Sequence, residues 1–125
     1  MYGRNDIISY AEKLHGKADY PFEGDFHSAV LRRTNGKWFG VLLRAPEKYF
    51  VQCGVVSNGD KEVLNLKCPP DLQPFLRARY KGVLPAYHMN KNHWISVLLG
   101  SDVPDEELQK LIDLSYELTE NRRRK

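Results

Sequence analysis

Residues 26–45 read FHSAVLRRTNGKWFGVLLRA, and the Asn35-Gly36 pair at the middle decides what the flanks become. Both flanks are rich in β-branched, aromatic and aliphatic residues, which suit a pleated, half-buried surface. Asn-Gly between two such runs is the strongest short hairpin signal, because a type I′ turn needs φ > 0 at both central residues. A two-residue turn pairs Val30 with Val41, Ser28 with Leu43 and Phe26 with Ala45 on a mostly apolar face. The other face then pairs His27 with Arg44 and Arg33 with Trp38, a guanidinium over an indole worth about 0.5–1 kcal/mol when exposed.

Working outward, residues 6–15 place Ile7, Ala11 and Leu14 at helical spacing, with Asn5 as N-cap and Gly16 as the C-terminal stop. Residues 46–61 are punctuated by Pro46, Gly54 and Asn58-Gly59 and read as an elaborated connection with at most a short strand. EVLNLKC (62–68) alternates, with Leu64 and Leu66 on one face and Val63, Asn65 and Lys67 on the other. Pro69-Pro70-Asp71 opens a helix through LQPFLRARY. In residues 83–100 a turn at Asn90-Lys91 makes His88 and His93 an opposed cross-strand pair, and puts Leu84 and Ala86 on one face with Ile95, Val97 and Leu99.

The last helix starts at Pro104. Asp105, Glu106 and Glu107 complement its dipole, and Leu108, Leu111, Ile112, Ser115 and Leu118 form one stripe. The order α-β-β-β-α-β-β-α predicts an α+β, two-layer domain, with a five-stranded antiparallel sheet and its helices packed on one face.

A chain of 125 residues, 42% apolar and 28% charged, suits one domain (residues 1–121) with a basic C-terminal tail at 122–125. No signal pattern or long apolar run appears, which predicts a cytoplasmic protein without membrane contact. Cys53 and Cys68 form no CxxC or metal-ligand spacing, so both are expected as reduced thiols. Net charge is +3, unevenly spread: residues 26–100 carry +7, residues 1–25 carry −2, residues 101–121 carry −6 and the RRRK tail +4. Such a chain can offer one positive face to a polyanion while staying near neutral as a whole.

No phosphate-binding glycine loop, nucleophile elbow or catalytic cysteine signature is present, so no enzyme, small-molecule substrate or cofactor is predicted. His88 and His93 would supply two imidazoles where zinc needs three or four ligands, and no metal is predicted. What remains is basic side chains near aromatics. Arg32, Arg33, Lys37, Trp38 and Arg44 fall on one hairpin, and Lys91 and Trp94 with Tyr87 on the other. Lys67 lies on the strand between. Cations neutralise phosphates and aromatics stack on bases, so these are the candidate nucleic-acid contacts. The same aromatic face also suits a buried core or a homodimer interface.

DYPF (19–22), KWFGVLL (37–43), NLKCPPD (65–71), YHMNKNHW (87–94) and PDEELQKLIDLSYELT (104–119) together resemble the MmcQ/YjbR family of small bacterial proteins. The resemblance covers nearly the whole chain in order. It implies a fold like the CyaY-like and secretion-chaperone-like α+β domains. It also implies DNA binding by a double wing, with no enzyme activity or fixed cofactor. The wings would map onto Arg33–Trp38 and His88–Trp94. Residues 46–61 look longer than in many relatives. The CyaY likeness raises iron binding, but Glu12, Asp19, Glu23 and Asp25 are too dispersed for an acidic-helix iron surface. The expected function is therefore non-enzymatic DNA binding, with a protein-interaction or dimerisation module as the alternative.

Overall fold

The Asn-Gly stretch does turn a hairpin. A computed structural model describes residues 2–22, 24 and 27–120. In it β2 (Ala29–Arg32) and β3 (Trp38–Ala45) pair antiparallel, with Val30 opposite Val41 as the alternation predicts. The turn is one residue longer than expected. Arg33 N–H donates to the Lys37 carbonyl and Gly36 N–H to the Arg33 carbonyl, both at 2.9 Å, and Gly36 takes φ 87° while Asn35 does not turn positive. This is a type I turn closed by a left-handed glycine, not a type I′ turn. A bulge absorbs the extra residue: Leu31 faces Gly40 but Arg32 faces Trp38, so Phe39 is squeezed in beside Gly40. The predicted Arg33–Trp38 pair is thereby lost. β2 begins at Ala29, so the predicted pairings of Ser28 and His27 lie beyond its ladder, and that of Phe26 lies outside the described residues.

Around this hairpin the chain runs α1 (Arg4–Lys13), β1 (Lys17–Asp19), β2, β3, α2 (Glu47–Gln52), β4 (Lys61–Lys67), α3 (Gln73–Arg79), β5 (Val83–Pro85), β6 (Trp94–Leu98) and α4 (Asp105–Leu118). The sheet is antiparallel and α+β as predicted, in the order β1-β2-β3-β4-β6-β5, but it has six strands instead of five. The extra strand, β1, is three residues long, too short for alternation to announce it. The connection at 46–61 holds a fourth helix, α2, entered through Pro46 in extended conformation.

The two faces of the sheet carry two cores. On one, Ile7 and Ala11 of α1, Leu76 of α3 and Leu108, Leu111 and Ile112 of α4 pack on Leu31, Leu42, Leu64, Leu66, Ile95 and Val97. On the other, Tyr49 and Phe50 of α2 pack on Ala45, Val63 and Leu84. Helices therefore cover both faces, correcting the one-sided expectation. Leu118 completes the predicted α4 stripe only in sequence, since it is 42% exposed.

Local signals err by small amounts elsewhere. Gly3, not Asn5, is the N-cap of α1, and its N–H donates to Asp6 Oδ2 at 3.0 Å. At the other end of α1, His15 takes the left-handed φ of 65° that was expected of Gly16. Gly16 N–H reaches back to the Ala11 carbonyl at 2.9 Å and His15 N–H to Glu12 at 3.0 Å, the Schellman pattern. A Cβ on Gly16 would lie 2.7 Å from the Phe39 ring, so glycine there permits close approach of α1 to β3.

The second hairpin departs further. Val83 faces Val97, Leu84 faces Ser96 and Pro85 faces Ile95, one residue off the predicted register. Such a slip moves every side chain of β5 to the other face, so Leu84 joins the α2 core instead of the α4 core. β5 stops at Pro85, and residues 86–93 form an irregular loop turned by Asn90, whose carbonyl accepts from Trp94 N–H at 3.0 Å and whose Oδ1 accepts from Asn92 N–H at 2.8 Å.

Candidate nucleic-acid interface

The register brings three features to one end of the sheet. Lys17 opens β1 opposite Arg32, Arg32 faces Trp38 at the start of β3, and Lys67 closes β4 opposite Trp94. The 33–37 turn and the last turn of α4 therefore meet here, and β6 begins at the same end. Lys17, Arg32, Arg33, Lys37 and Lys67 share this end, whereas Lys91 lies beside α2, where it lines a cavity with Pro46 and Lys48. Asp60, Glu62, Asp102, Asp105, Glu106 and Glu107 gather at the other, where Arg4 pairs with Glu62 and Tyr2 N–H donates to Asp105 at 2.8 Å. Burial is the largest single influence on the Asp102 carboxyl and raises its pKa, but the N–H groups of Lys81 and Gly82, both at 2.8 Å, together with its own N–H and the Lys81 charge, outweigh it and lower the group below its ordinary value.

The predicted contacts are not equally available. Lys37 and Lys91 are exposed at the two tips. Trp38 is 36% exposed and meets Phe22 edge-on, with centroids 6.2 Å apart. Arg32 is paired with Asp19 at 2.9 Å. Arg33 lies 3.7 Å from the centroid of the Tyr116 ring and donates to the Tyr116 carbonyl, while Asn35 Nδ2 donates to the Thr119 carbonyl at 3.1 Å. Two side chains of the turn thus cap the C-terminal carbonyls of α4. Lys67 is half-buried, and its N–H donates to Ser115 Oγ at 2.9 Å. Trp94 is buried at 9% exposure, and Arg44 faces Glu62 at the acidic end; both stand apart from the exposed basic cluster. The RRRK tail lies outside the described residues.

His88 and His93 do not oppose one another. The His93 carbonyl accepts from Cys68 N–H at 2.8 Å, extending β6, whereas His88, with φ 62°, packs its ring against Tyr87 at a tilt of 41°. Among the described residues no three His, Cys, Asp or Glu side chains converge as a metal-binding group. Burial, reinforced by Asp71, pushes the Cys68 thiol up to about 11, which leaves it an inert neutral group near pH 7.

A family model described as YjbR matches residues 13–118. The chain belongs to the YjbR family. It is 40% identical over 122 residues to the uncharacterised protein YyaQ of Bacillus subtilis, covering 95% of this chain and 99% of that one. It is 31% identical over 88 residues to the uncharacterised protein YjbR of Escherichia coli K12, covering 70% and 73%. A crystal structure of a protein from Pseudomonas syringae superposes with a TM-score of 0.85 at 37% identity, over 95% of this chain and 100% of that one. In this YjbR-family chain the first proposed wing is a true hairpin tip and the second is an irregular loop. Sequence reasoning missed the cap that Arg33 and Asn35 place on α4. Its only trace is an Arg and an Asn flanking the turn, which could equally belong to the turn itself.

No helix of the described residues is long and apolar enough to cross a membrane.

Proposed function

We propose that this protein binds DNA without catalysing a reaction, through the basic end of its sheet. One observation carries the reading: Lys17, Arg32, Arg33, Lys37 and Lys67 share one end of the sheet with the exposed Trp38, while the carboxylates of Asp102, Asp105, Glu106 and Glu107 stand at the other. Helix α4, 14 residues long, spans the distance between the two ends, about 21 Å at 1.5 Å per residue. The Debye length is about 8 Å in physiological salt, so phosphates at the basic end are screened from the acidic end. Lys17 and Lys37 are exposed for phosphate contact, with Arg32 on the neighbouring strand paired to Asp19, and Trp38 next to Lys37 is 36% exposed.

The test is fluorescence anisotropy of a labelled duplex across a salt series. Lys17→Glu and Lys37→Glu are expected to weaken binding and lower the salt slope by about one per lost phosphate contact. Arg33 is unsuitable for this purpose because it caps α4. No binding at micromolar protein in about 50 mM salt overturns the reading, since phosphate contacts are strongest there.

A protein-interaction role is the second reading. It is favoured by a groove of about 860 Å³ between the Cys53–Val56 segment, α3 and β5, lined in part by the exposed Val56, with the exposed Phe75 following the lining residue Pro74 on α3. Light scattering that returns a stable dimer dissociated by Phe75→Asp would favour it.

A further inference from the structure

A second cavity, of about 450 Å³, lies between α2 and the 86–93 loop. Its size falls within the range of about 300–1,000 Å³ typical of small-ligand sites. One wall carries three rings in tilted contact, Tyr49 against Tyr87 at 4.9 Å between centroids and 58° between planes, and Tyr87 against His88 at 3.9 Å and 41°. Lys48 on α2 and Lys91 on the loop line the same cavity, and both are exposed.

These rings are held from beneath. Tyr49 donates its hydroxyl proton to the Pro85 carbonyl. The Tyr87 N–H donates to Ser96 Oγ and the Tyr87 carbonyl accepts from Asn65 Nδ2, both at 2.8 Å, while Ser96 Oγ donates to Asn65 Oδ1. Asn65 and Ser96 are wholly buried, so this satisfied network fixes where Tyr87 lies. His88 keeps φ 62°, a conformation unfavourable for residues other than glycine and one that gathers at ligand sites when the surroundings enforce it.

We propose that this cavity binds a nucleotide. A planar base packs against the ring of Tyr87 or His88 that lines the cavity, and its phosphate is held by Lys48 and Lys91. The same chemistry belongs to a free mononucleotide and to an unpaired nucleotide of a single strand. The site is distinct from the 33–37 turn and stands whether or not duplex DNA binds there.

The experiment titrates the full chain with AMP, adenosine, inorganic phosphate and a single-stranded oligo-dA, followed by amide NMR and calorimetry. AMP is expected to shift the amides of Lys48, Tyr87, His88 and Lys91 saturably, with adenosine and phosphate each at least about tenfold weaker. His88→Gly removes a ring while suiting the local φ, and Lys91→Gln removes an exposed charge. Each is expected to weaken AMP by about fivefold or more, the scale of one lost stacking partner. Saturable shifts at the same residues with oligo-dA assign the single-strand source, and shifts with AMP alone assign the free nucleotide. Lys37→Glu, which tests duplex binding, is expected to leave AMP affinity unchanged. The proposal is overturned by no shifts at millimolar AMP, by shifts confined elsewhere, by inorganic phosphate binding as tightly as AMP, or by both variants keeping full affinity.

Discussion

His15 and Gly16 show how much a single residue can rest on its neighbours. A left-handed C′ position favours glycine, yet here the glycine sits one place later because Phe39 and the Ala11 carbonyl leave no room for a Cβ. Two substitutions should therefore act in opposite directions. His15→Gly is expected to stabilise the fold by about 1 kcal/mol, by relieving a left-handed side-chain-bearing residue. Gly16→Ala is expected to cost about 1–3 kcal/mol, by forcing α1 away from β3. Urea titration of both variants checks the pair, and a stabilising Gly16→Ala would show that the contact with Phe39 yields freely. Arg33 belongs to the same scale. The sequence offered it an indole across the strand, and the bulge handed it to the Tyr116 ring and an α4 carbonyl instead.

At the scale of elements, the bulge in β3 and the last turn of α4 are joined through one hydroxyl. Ser115 Oγ donates to the Phe39 carbonyl at 2.6 Å and accepts from the Lys67 N–H at 2.9 Å. The bulge displaces that carbonyl from the ladder, and the end of β4 offers an N–H, so α4 satisfies both groups at once. Ser115→Ala should leave both unpaired and cost about 1–3 kcal/mol, with an unchanged denaturant m-value. A loss well below that range would mean that other groups take up both bonds. The edge strand β5 is likewise managed locally. The Gly82 carbonyl accepts from Leu98 N–H at 2.8 Å, so Val83 and Pro85 turn their backbone groups outward. There Val83 N–H meets the Tyr80 carbonyl, Pro85 has no N–H, and its carbonyl is taken by Tyr49. Strand addition at this edge is thus obstructed.

At the scale of the whole molecule, the cluster of Lys17, Arg32, Arg33 and Lys37 and the carboxylates of residues 102–107 stand at opposite ends of one sheet. If DNA is held at the basic end, the acidic end should not matter to it. Glu106→Gln with Glu107→Gln is expected to change duplex affinity by less than about twofold at physiological salt, because about 20 Å exceeds two Debye lengths. An anisotropy titration beside Lys37→Glu decides this, and a large gain in affinity from the double variant would show that the two ends are electrically coupled. The antiparallel α+β class, the Val30–Val41 hairpin, the alternation of β4 and the course of α4 were legible in the residues, since period-2 and helical spacings and capping charges are local. Two kinds of feature were not legible. Short elements such as β1 and α2 carry too few residues for a period, and register within the second hairpin depends on which core each face meets. The sequence by itself determined which residues are apolar, charged or able to turn the chain. Only the tertiary structure decided that Trp94 is buried, that Arg33 caps a helix and that His88 packs against Tyr87 instead of facing His93. Those outcomes depend on contacts between segments far apart in the chain, and local spacing carries no record of them.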